Sequence, residues 1–374
     1  MRPIYLDHNA STPLDPRVAD AMRVALEADY GNPSSPHWAG IPARALLEQS
    51  REQVAALLDC RPDEIVFTSG GSESNNLAIK GSFFAHAGRP AHFVTSAVEH
   101  PSVTEPCRFI ERLGARVTRL AVDGAGLVDP DDLRRAIAPD TVLVSIMHAN
   151  NETGTIEPIE ACAQVAREHG VPFHTDAAQT AGKIPTRVGV LGVDLLTIAG
   201  HKLYAPKGVG AMYLRSGIAL ESLIHGAGHE RGLRAGTESV LLAAGLGTAC
   251  RLARDLDWTV RVRELRDRLW NALRDPLGDR IRMNGHADLR LPNTLNVSFV
   301  GLIGADVLAA AQGVAASTGS ACHSGRIETS PVLRAMGVSE TMAAGAVRFS
   351  LGRGTTADDV DEAAARVTAT LNQK

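Results

Sequence analysis

The segment TVLVSIM, at positions 141–147, is a seven-residue and nearly unbroken apolar run. Strands with this pattern are typical of parallel sheets, because helices cover both faces of such a sheet. Six further runs rich in β-branched residues are consistent with strands, at about 64–68, 92–95, 116–120, 171–175, 194–198 and 210–214. Helical patterns near 72–87, 103–113 and 158–169 separate several of them. The alternation predicts an α/β fold whose large domain holds a mainly parallel, seven-stranded sheet.

The sequence changes in character after about residue 255. A charged helical pattern is followed by two strand patterns and a C-terminal helical pattern, at about 258–274, 293–300, 346–351 and 357–372. These elements predict a smaller α+β domain, and the N-terminal segment with Pro13 and Pro16 is expected to pack onto it. We therefore expect a large domain at 14–256 and a small domain made of 1–13 and 257–374.

The composition excludes several classes of protein. Of the 374 residues, 44% are hydrophobic and 21% are charged, which is the balance of a folded globular chain rather than a disordered one. The net charge is −4 and aromatic residues make up 4%, so nucleic-acid binding through phosphates or base stacking is not expected. No apolar run reaches the roughly 20 residues of a membrane span, and the N-terminus lacks a signal-peptide core.

The five cysteines indicate a reducing compartment. They are odd in number, widely spaced and without a CxxC pair: Cys60, Cys107, Cys162, Cys250 and Cys322. A disulfide framework or a zinc site is therefore not expected, and we predict no metal site. We expect a cytoplasmic protein in which the first four cysteines, which lie in or beside helical patterns, are small buried apolar residues.

Two charged residues follow predicted strands at the edge where α/β sheets bind their ligands. Lys202 comes after the strand at about 194–198, and a lysine there could form a Schiff base with an aldehyde cofactor. Taken alone, a solvated surface lysine is the more common case. Asp176 ends the strand at about 171–175 and could pair with the pyridinium nitrogen of pyridoxal phosphate, or it could cap the next helix.

Three further strand ends carry polar or small residues. The segment TSGGSESNN at 68–76 joins a strand to a helix and could bind a phosphate, although it lacks the ending of a Walker loop and could be a weak capping box. His100 and the segment HANNE at 148–152 follow two more strands, and a histidine there could stack on a cofactor or move protons. Single histidines are more often structural, but the convergence of several strand ends favours a site.

Two residues of the predicted small domain are candidates for chemistry on a substrate. Cys322 lies in the small-residue stretch STGSACHSG at 317–325, which is expected to be a loop and suits a nucleophilic thiol. The neighbouring His323 could favour the thiolate. Arg348 lies within an apolar strand pattern and either holds a substrate carboxylate by a bidentate fork or forms a buried salt bridge.

Together these segments resemble the NifS/IscS-type cysteine desulfurases, which are class V aminotransferases of pyridoxal-phosphate (PLP) fold type I. The resemblance runs along almost the whole chain through the motifs YLDHNASTP at 5–13, GNPSS at 31–35, NNETG at 150–154, HERGLRAGT at 229–237 and RFSLGR at 348–353. It implies a homodimeric PLP enzyme that converts L-cysteine to L-alanine. The sulfur would pass through a cysteine persulfide to an acceptor protein, for example in iron–sulfur cluster biogenesis.

The resemblance also implies which residues bind the cofactor. Lys202 would carry PLP as an imine, and His100 would stack on its ring and help to move protons. Asp176 would face the pyridine nitrogen and Gln179 the ring hydroxyl. The phosphate would be bound by four residues, of which the last comes from the other subunit of the dimer: Gly71, Ser72, His201 and Thr237.

The substrate would be bound and attacked by three residues. Asn151 and Arg348 would hold its carboxylate, while Cys322 would attack its sulfur. The chain departs from the family at Ala199, where a hydroxyl residue often binds the phosphate, and at His323, where many members have threonine. Docking of a scaffold protein through an extended C-terminal tail is not expected, because the chain stops at Lys374.

Other functions remain open from the sequence. The context of Cys322 also resembles selenocysteine lyases, which would convert L-selenocysteine to L-alanine with the same residues and little need for the thiol. A plain aminotransferase would leave Cys322 without a role, and a non-catalytic PLP-fold partner protein would not need the full set of site residues. The sulfur acceptor is also open between an iron–sulfur scaffold, tRNA thiolation, the molybdenum cofactor and DNA modification.

Overall fold

The computed structural model describes residues 2–318, 321–323 and 326–371, and for 321–323, 326–328 and 370–371 it describes the backbone alone. The strands in chain order are β1 (Ile4–Tyr5), β2 (Ile65–Thr68), β3 (His92–Ser96), β4 (Arg116–Leu120), β5 (Thr141–Ser145), β6 (Phe173–Asp176), β7 (Leu195–Ala199), β8 (Gly210–Leu214), β9 (Ile281–Asn284), β10 (Thr294–Phe299), β11 (Val314–Ala315), β12 (Ser317–Thr318), β13 (Ala321–His323), β14 (Arg326–Glu328) and β15 (Ala346–Ser350).

The α-helices surround these strands. In chain order they are α1 (Pro16–Ala28), α2 (Gly40–Leu58), α3 (Gly71–Ala85), α4 (Pro101–Arg112), α5 (Pro130–Ala136), α6 (Ile159–Glu168), α7 (Val188–Leu191), α8 (Val240–Ala253), α9 (Trp258–Leu277), α10 (Gly304–Ala310), α11 (Pro331–Ala335), α12 (Glu340–Ala344) and α13 (Ala357–Leu371).

The large sheet has seven strands in the order β2-β8-β7-β6-β5-β3-β4, and each corresponds to a run predicted from the sequence. Its pairs are parallel except for those that β8 forms with β7 and β2. The predicted α/β fold with a mainly parallel sheet is confirmed. Because β2, β3, β5, β6 and β7 run in the same direction, their carboxyl ends meet at one edge, where ligands of such sheets bind.

Both faces of this sheet are covered, which explains the unbroken apolar run at its centre. Successive residues of that run contribute to different hydrophobic clusters: Leu143 packs with α3 and α4 residues on one face, and Val144 and Ile146 pack on the other. All three are fully buried. A strand that faces water on one side would alternate polar and apolar residues instead.

A second, antiparallel sheet has the order β12-β15-β10-β9. Its hydrophobic cluster is completed by α9, by α13 and by Ile4 and Leu6 from the N-terminus. The N-terminal segment also pairs in parallel through β1 and β11. The expected packing of the N-terminus onto the smaller sheet is therefore observed in these contacts.

Cys322 does not lie in an irregular loop as expected. Its backbone belongs to β13, which pairs antiparallel with β14 so that Cys322 stands opposite Ile327. Three-residue strands leave too little sequence for an alternating pattern to be recognised. The side chain of Cys322, on which the predicted thiol chemistry depends, lies outside the part of the structure that is described.

Candidate functional site

A cavity of about 630 Å³ opens at the carboxyl edge of the large sheet. It is lined by nine of the eleven residues to which the sequence assigned roles, namely Gly71, Ser72, His100, Asn151, Asp176, Gln179, His201, Lys202 and Arg348. Thr237 does not line it and is exposed, and Cys322 has no described side chain. The strand-end pattern predicted that the large-sheet residues meet in one place, and Arg348 joins them from the smaller sheet.

Lys202 places a primary amine in this cavity. It lies in a short 3₁₀ turn directly after β7, and its Nζ donates hydrogen bonds to the backbone oxygens of Asn9 (2.7 Å) and Ala10 (2.8 Å). The pKa of Lys202 is lowered to about 8, chiefly by burial and then by the nearby Arg348, while Asp176 and Asp7 oppose the shift. A lysine amine with a lowered pKa is suited to nucleophilic attack and to proton transfer.

Asp176 ends β6 and presents a carboxylate to the same cavity. Asn75 Nδ2 donates to its Oδ2 at 2.7 Å, and the backbone N–H of Ala178 donates to its Oδ1 at 2.9 Å. The residues after Asp176 form a turn rather than the helix that one interpretation had it capping. A carboxylate that accepts hydrogen bonds from two sides is held in orientation, which suits an ionic partner such as a protonated ring nitrogen.

His100 is the N-cap residue of α4. The backbone N–H of Ser102 donates to its Nδ1 at 3.1 Å, and Ser102 Oγ lies 2.8 Å from the same nitrogen. A backbone N–H can only donate, so Nδ1 is the acceptor and the neutral ring carries its proton on Nε2. Burial lowers the pKa of His100, with Asp176 opposing and Lys202 adding to the shift. The ring is therefore available to stack and to exchange protons through Nε2.

The N-terminus of α3 offers a candidate anion site on one side of the cavity. Ser69, Gly70, Gly71 and Ser72 line it, and Gly70 adopts a φ of +147°, which favours glycine. The first N–H groups of a 15-residue helix and its dipole would favour an anion such as a phosphate here. His201 lines the same region, and burial together with neighbouring cations lowers its pKa to about 4, so that the ring is neutral.

Arg348 lies on β15, opposite Ser317 of β12. Its Nη2 donates to Asp7 Oδ1 at 2.7 Å, and its Nη1 donates to the backbone oxygen of Asn151 at 3.0 Å. The predicted buried salt bridge is thus present. Its Nε is buried without a hydrogen-bond partner among the described atoms. A buried donor of this kind is costly unless a ligand satisfies it, so the geometry also fits a substrate carboxylate.

Asn9 connects these groups, although the sequence analysis gave it no role. It is 1% exposed, and its side chain donates to Thr294 Oγ1 and to the backbone oxygen of Asn151. Its Oδ1 accepts from Lys183 and Asn293, while its backbone oxygen accepts from Lys202 and Gln179. The sequence feature that could have indicated a role for Asn9 was the motif at 5–13, in which this polar residue follows the short strand β1.

Asp7, Asn75 and Lys183 were also missed. Each contacts a predicted site residue: Asp7 contacts Arg348, Asn75 contacts Asp176, and Lys183 contacts Gln179. Asp7 belongs to the same motif as Asn9, and Asn75 lies one turn into the helix that begins at the anion site. For Lys183 the one available signal was its spacing of four residues from Gln179.

The cysteines other than Cys322 are unsuited to nucleophilic chemistry. Cys107, Cys162 and Cys250 are buried as predicted, whereas Cys60 is only half-buried. Burial raises the pKa of Cys60, Cys107 and Cys162 to about 12. Within the described residues, no group of histidine, cysteine, aspartate or glutamate side chains could hold a metal ion, and no helix is long and apolar enough to cross a membrane.

The groups around the cavity fit PLP. They offer an amine for its aldehyde, a carboxylate for its ring nitrogen and a helix N-terminus for its phosphate. Ala199 lines the cavity beside this N-terminus, and its Cβ lies 3.4 Å from the position that a Cβ on Gly71 would occupy. Because methyl groups line that point, a phosphate bound there would depend on backbone N–H groups and on the neighbouring polar side chains.

Comparison with known proteins identifies close relatives. A family model for class-V aminotransferases matches residues 4–363. The cysteine desulfurase IscS of Dictyoglomus turgidum is 48% identical over 364 residues, which cover 96% of this chain and 92% of that protein. A solved NifS-like protein has a TM-score of 0.93 at 36% identity and covers 100% of both chains. A structure of SspA in complex with cysteine has a TM-score of 0.85 at 38% identity, over 94% of this chain and 100% of that one.

Proposed function

Because the chain belongs to the class-V aminotransferase family, we propose that it is a PLP-dependent cysteine desulfurase that converts L-cysteine to L-alanine. The observation that carries the proposal is the amine of Lys202, which shares one cavity with Asp176 and Arg348. Relatives that bear the name cysteine desulfurase, and the SspA structure with cysteine, support this substrate over selenocysteine.

The cofactor, when bound, supplies an electron sink for the bonds at the substrate Cα. Asp176 would keep its ring nitrogen protonated, and the N-terminus of α3 would hold its phosphate. Lys202 removes the Cα proton. At pH 7 a lysine with a pKa of about 8 is neutral in roughly one molecule in ten, against about one in three thousand at the ordinary value.

The substrate carboxylate binds to Arg348, assisted by Asn151. The thiolate of Cys322 attacks the substrate sulfur, so that an S–S bond forms, the Cβ–S bond breaks and the sulfur remains as a persulfide. The remaining three-carbon fragment is reprotonated to alanine. A reductant or an acceptor protein then takes the sulfur from Cys322. The acceptor is a protein of unassigned identity, and an iron–sulfur scaffold is one candidate.

The same proposal includes a homodimer in which Thr237 reaches the phosphate of the other subunit. The segment at 229–237 is anchored to its own chain by an ion pair between Glu230 and Arg51 (2.8 Å) and another between Arg234 and Glu73 (3.0 Å). Thr237 itself stays exposed beyond these anchors. We assign residues 14–256 to the domain that binds the cofactor, and residues 1–13 with 257–374 to the domain that carries Cys322. The location of the protein in the cytoplasm stays a prediction.

Product analysis tests the proposal. The purified protein with PLP, L-cysteine and a thiol reductant is expected to form alanine and sulfide in equal amounts, and L-selenocysteine is assayed in parallel. A keto acid in place of alanine would indicate an aminotransferase. Turnover of selenocysteine without turnover of cysteine would indicate a selenocysteine lyase instead.

Replacing Arg348 with lysine is expected to raise KM for cysteine by about ten- to a hundredfold, because charged hydrogen bonds contribute roughly 1.5–3 kcal/mol. The planar guanidinium of Arg348 can donate to Asp7 and to the substrate carboxylate at the same time, whereas the ammonium of a lysine has no such fork of donors. Steady-state kinetics measure the change, and the cofactor absorbance should be retained. Arg282→Lys, at an exposed ion pair with Asp279, is the matched control. Parent kinetics for Arg348→Lys would remove this residue from the substrate site.

A further inference from the structure

Lys183 is a buried amine for which the proposed reaction has no use. It lies in the turn after β6 and is 3% exposed. Its Nζ donates to Gln179 Oε1 at 2.9 Å and to Asn9 Oδ1 at 3.3 Å. Both acceptors are neutral amide oxygens, so these bonds orient side chains without neutralising a charge. Burying an amine has a desolvation cost, so we expect this amine to serve a function.

The turn that carries Lys183 is tightly constrained. Gly182 has a φ of +73°, and a Cβ at this position would lie 2.8 Å from the Cβ of Ala253 on α8. The turn therefore needs glycine both for its backbone conformation and for its contact with the helix. Lys183 follows directly and is buried against Asn9 and Gln179, which line the cavity.

Lys183 determines how the amide of Gln179 is oriented. Nζ carries at least two N–H groups and donates them to Asn9 Oδ1 and Gln179 Oε1, so the Gln179 amide oxygen faces Nζ and Nε2 faces the other way. Nε2 donates one hydrogen to the backbone oxygen of Asn9 at 2.9 Å and retains a second. A flipped amide would bring N–H groups against Nζ. Gln179, which lines the cavity, is thereby held as a hydrogen-bond donor.

We propose that Lys183 is a positioning residue that fixes the Gln179 amide as a donor to the aromatic oxygen of bound PLP. This inference rests on the proposed function for the presence of the cofactor. A donor to that ionised oxygen withdraws charge from it. The nitrogen that joins Lys202 to the cofactor then holds its proton less strongly, so the pH at which this nitrogen titrates is lowered.

Lys183 lies among other cationic side chains, and each of them lowers the pKa of its neighbours. Burial lowers the pKa of Lys183 well below its ordinary value, and Lys202 and Arg348 lower it further. The pKa of the nearby His8 is lowered to about 4 by burial and then by Lys183, with Asp7 opposing the shift. Removing the Lys183 amine takes away the donor that holds Gln179 Oε1, and with it the constraint on the Gln179 amide. The loss of this constraint raises the pH at which the Lys202 nitrogen loses its proton.

A pH titration of the visible absorbance of the protein with bound PLP tests this inference without measuring activity. Lys183→Met and Gln179→Met are each expected to raise the midpoint by about one unit. The double variant should show no larger shift than the larger single one, because the two residues act as a unit. Lys80→Met, which removes a lysine packed over Phe109 outside the cavity, should keep the parent midpoint.

Folded Lys183→Met protein with the parent midpoint, beside a raised midpoint in Gln179→Met, would overturn the inference. Additive shifts in the double variant would do so too. If Lys183→Met does not fold, Lys183→Gln carries the test, since its amide is one bond shorter and leaves Gln179 Oε1 out of reach. The same rise is expected there. Parent protein that takes up no PLP would instead refute the proposed function.

Discussion

Replacing Cys322 with alanine is expected to lower alanine formation from cysteine by at least about a thousandfold, the scale on which enzymes lose activity without their nucleophile. A thiolate leaves carbon poorly, so a positioned sulfur must accept the substrate sulfur directly. The variant should still bind PLP and should still show the spectral change caused by added cysteine. Alanine measured by amino-acid analysis, together with the absorption spectrum, checks both statements.

Two comparisons make this test specific to Cys322. Cys60→Ala removes the half-buried thiol whose pKa burial raises to about 12, and it should keep the parent rate. Selenocysteine should remain a substrate for Cys322→Ala, because a selenolate leaves carbon more readily than a thiolate. Desulfuration of cysteine at the parent rate by Cys322→Ala would contradict the persulfide mechanism.

Replacing Lys202 with alanine should have an effect of similar size. The variant loses both the amine that joins the cofactor and the base that moves the Cα proton, and each loss alone costs orders of magnitude in rate. After borohydride reduction, peptide mapping of the parent should find the pyridoxyl group on Lys202. A group found on Lys183 or Lys207, the second of which also lines the cavity, would contradict the assignment.

Subunit mixing extends the Lys202 experiment to the dimer. Thr237→Asp would bring a carboxylate to the phosphate of the partner's site and should also be inactive. A mixture of Lys202→Ala and Thr237→Asp chains should recover about a quarter of the parent activity, because half of the dimers are hybrids with one intact site of two. Absence of recovery, with hybrids demonstrated by a tag on one chain, would count against shared sites.

The large sheet could be predicted from the sequence because its strands are covered on both faces. The unbroken apolar run at 141–147 can be recognised from the local sequence alone. Consecutive residues such as Leu143 and Val144 are both apolar because they are buried on opposite faces of the sheet. The strand ends then marked the cavity, because parallel strands bring their carboxyl ends together. Lys202 and Asp176 were found in this way.

The partners of the site residues could not be predicted, because they depend on contacts between distant parts of the chain. Asp7 and Arg348 are 341 positions apart, and Asn75 and Asp176 are 101 apart. A side chain that orients another has no periodic pattern and no characteristic neighbours. The β13–β14 hairpin is local in sequence, but it was missed because its three-residue strands are too short to show an alternating pattern.

The bond between Asp7 and Arg348 has a consequence for biosynthesis. Chains emerge from the ribosome N-terminus first, and domains generally fold as they appear. The large sheet can form during translation, yet Asp7 has no partner until Arg348, 341 positions later, has been synthesised. We therefore expect the Asp7–Arg348 pair, and with it the ability to bind the amino acid, to arise late in synthesis.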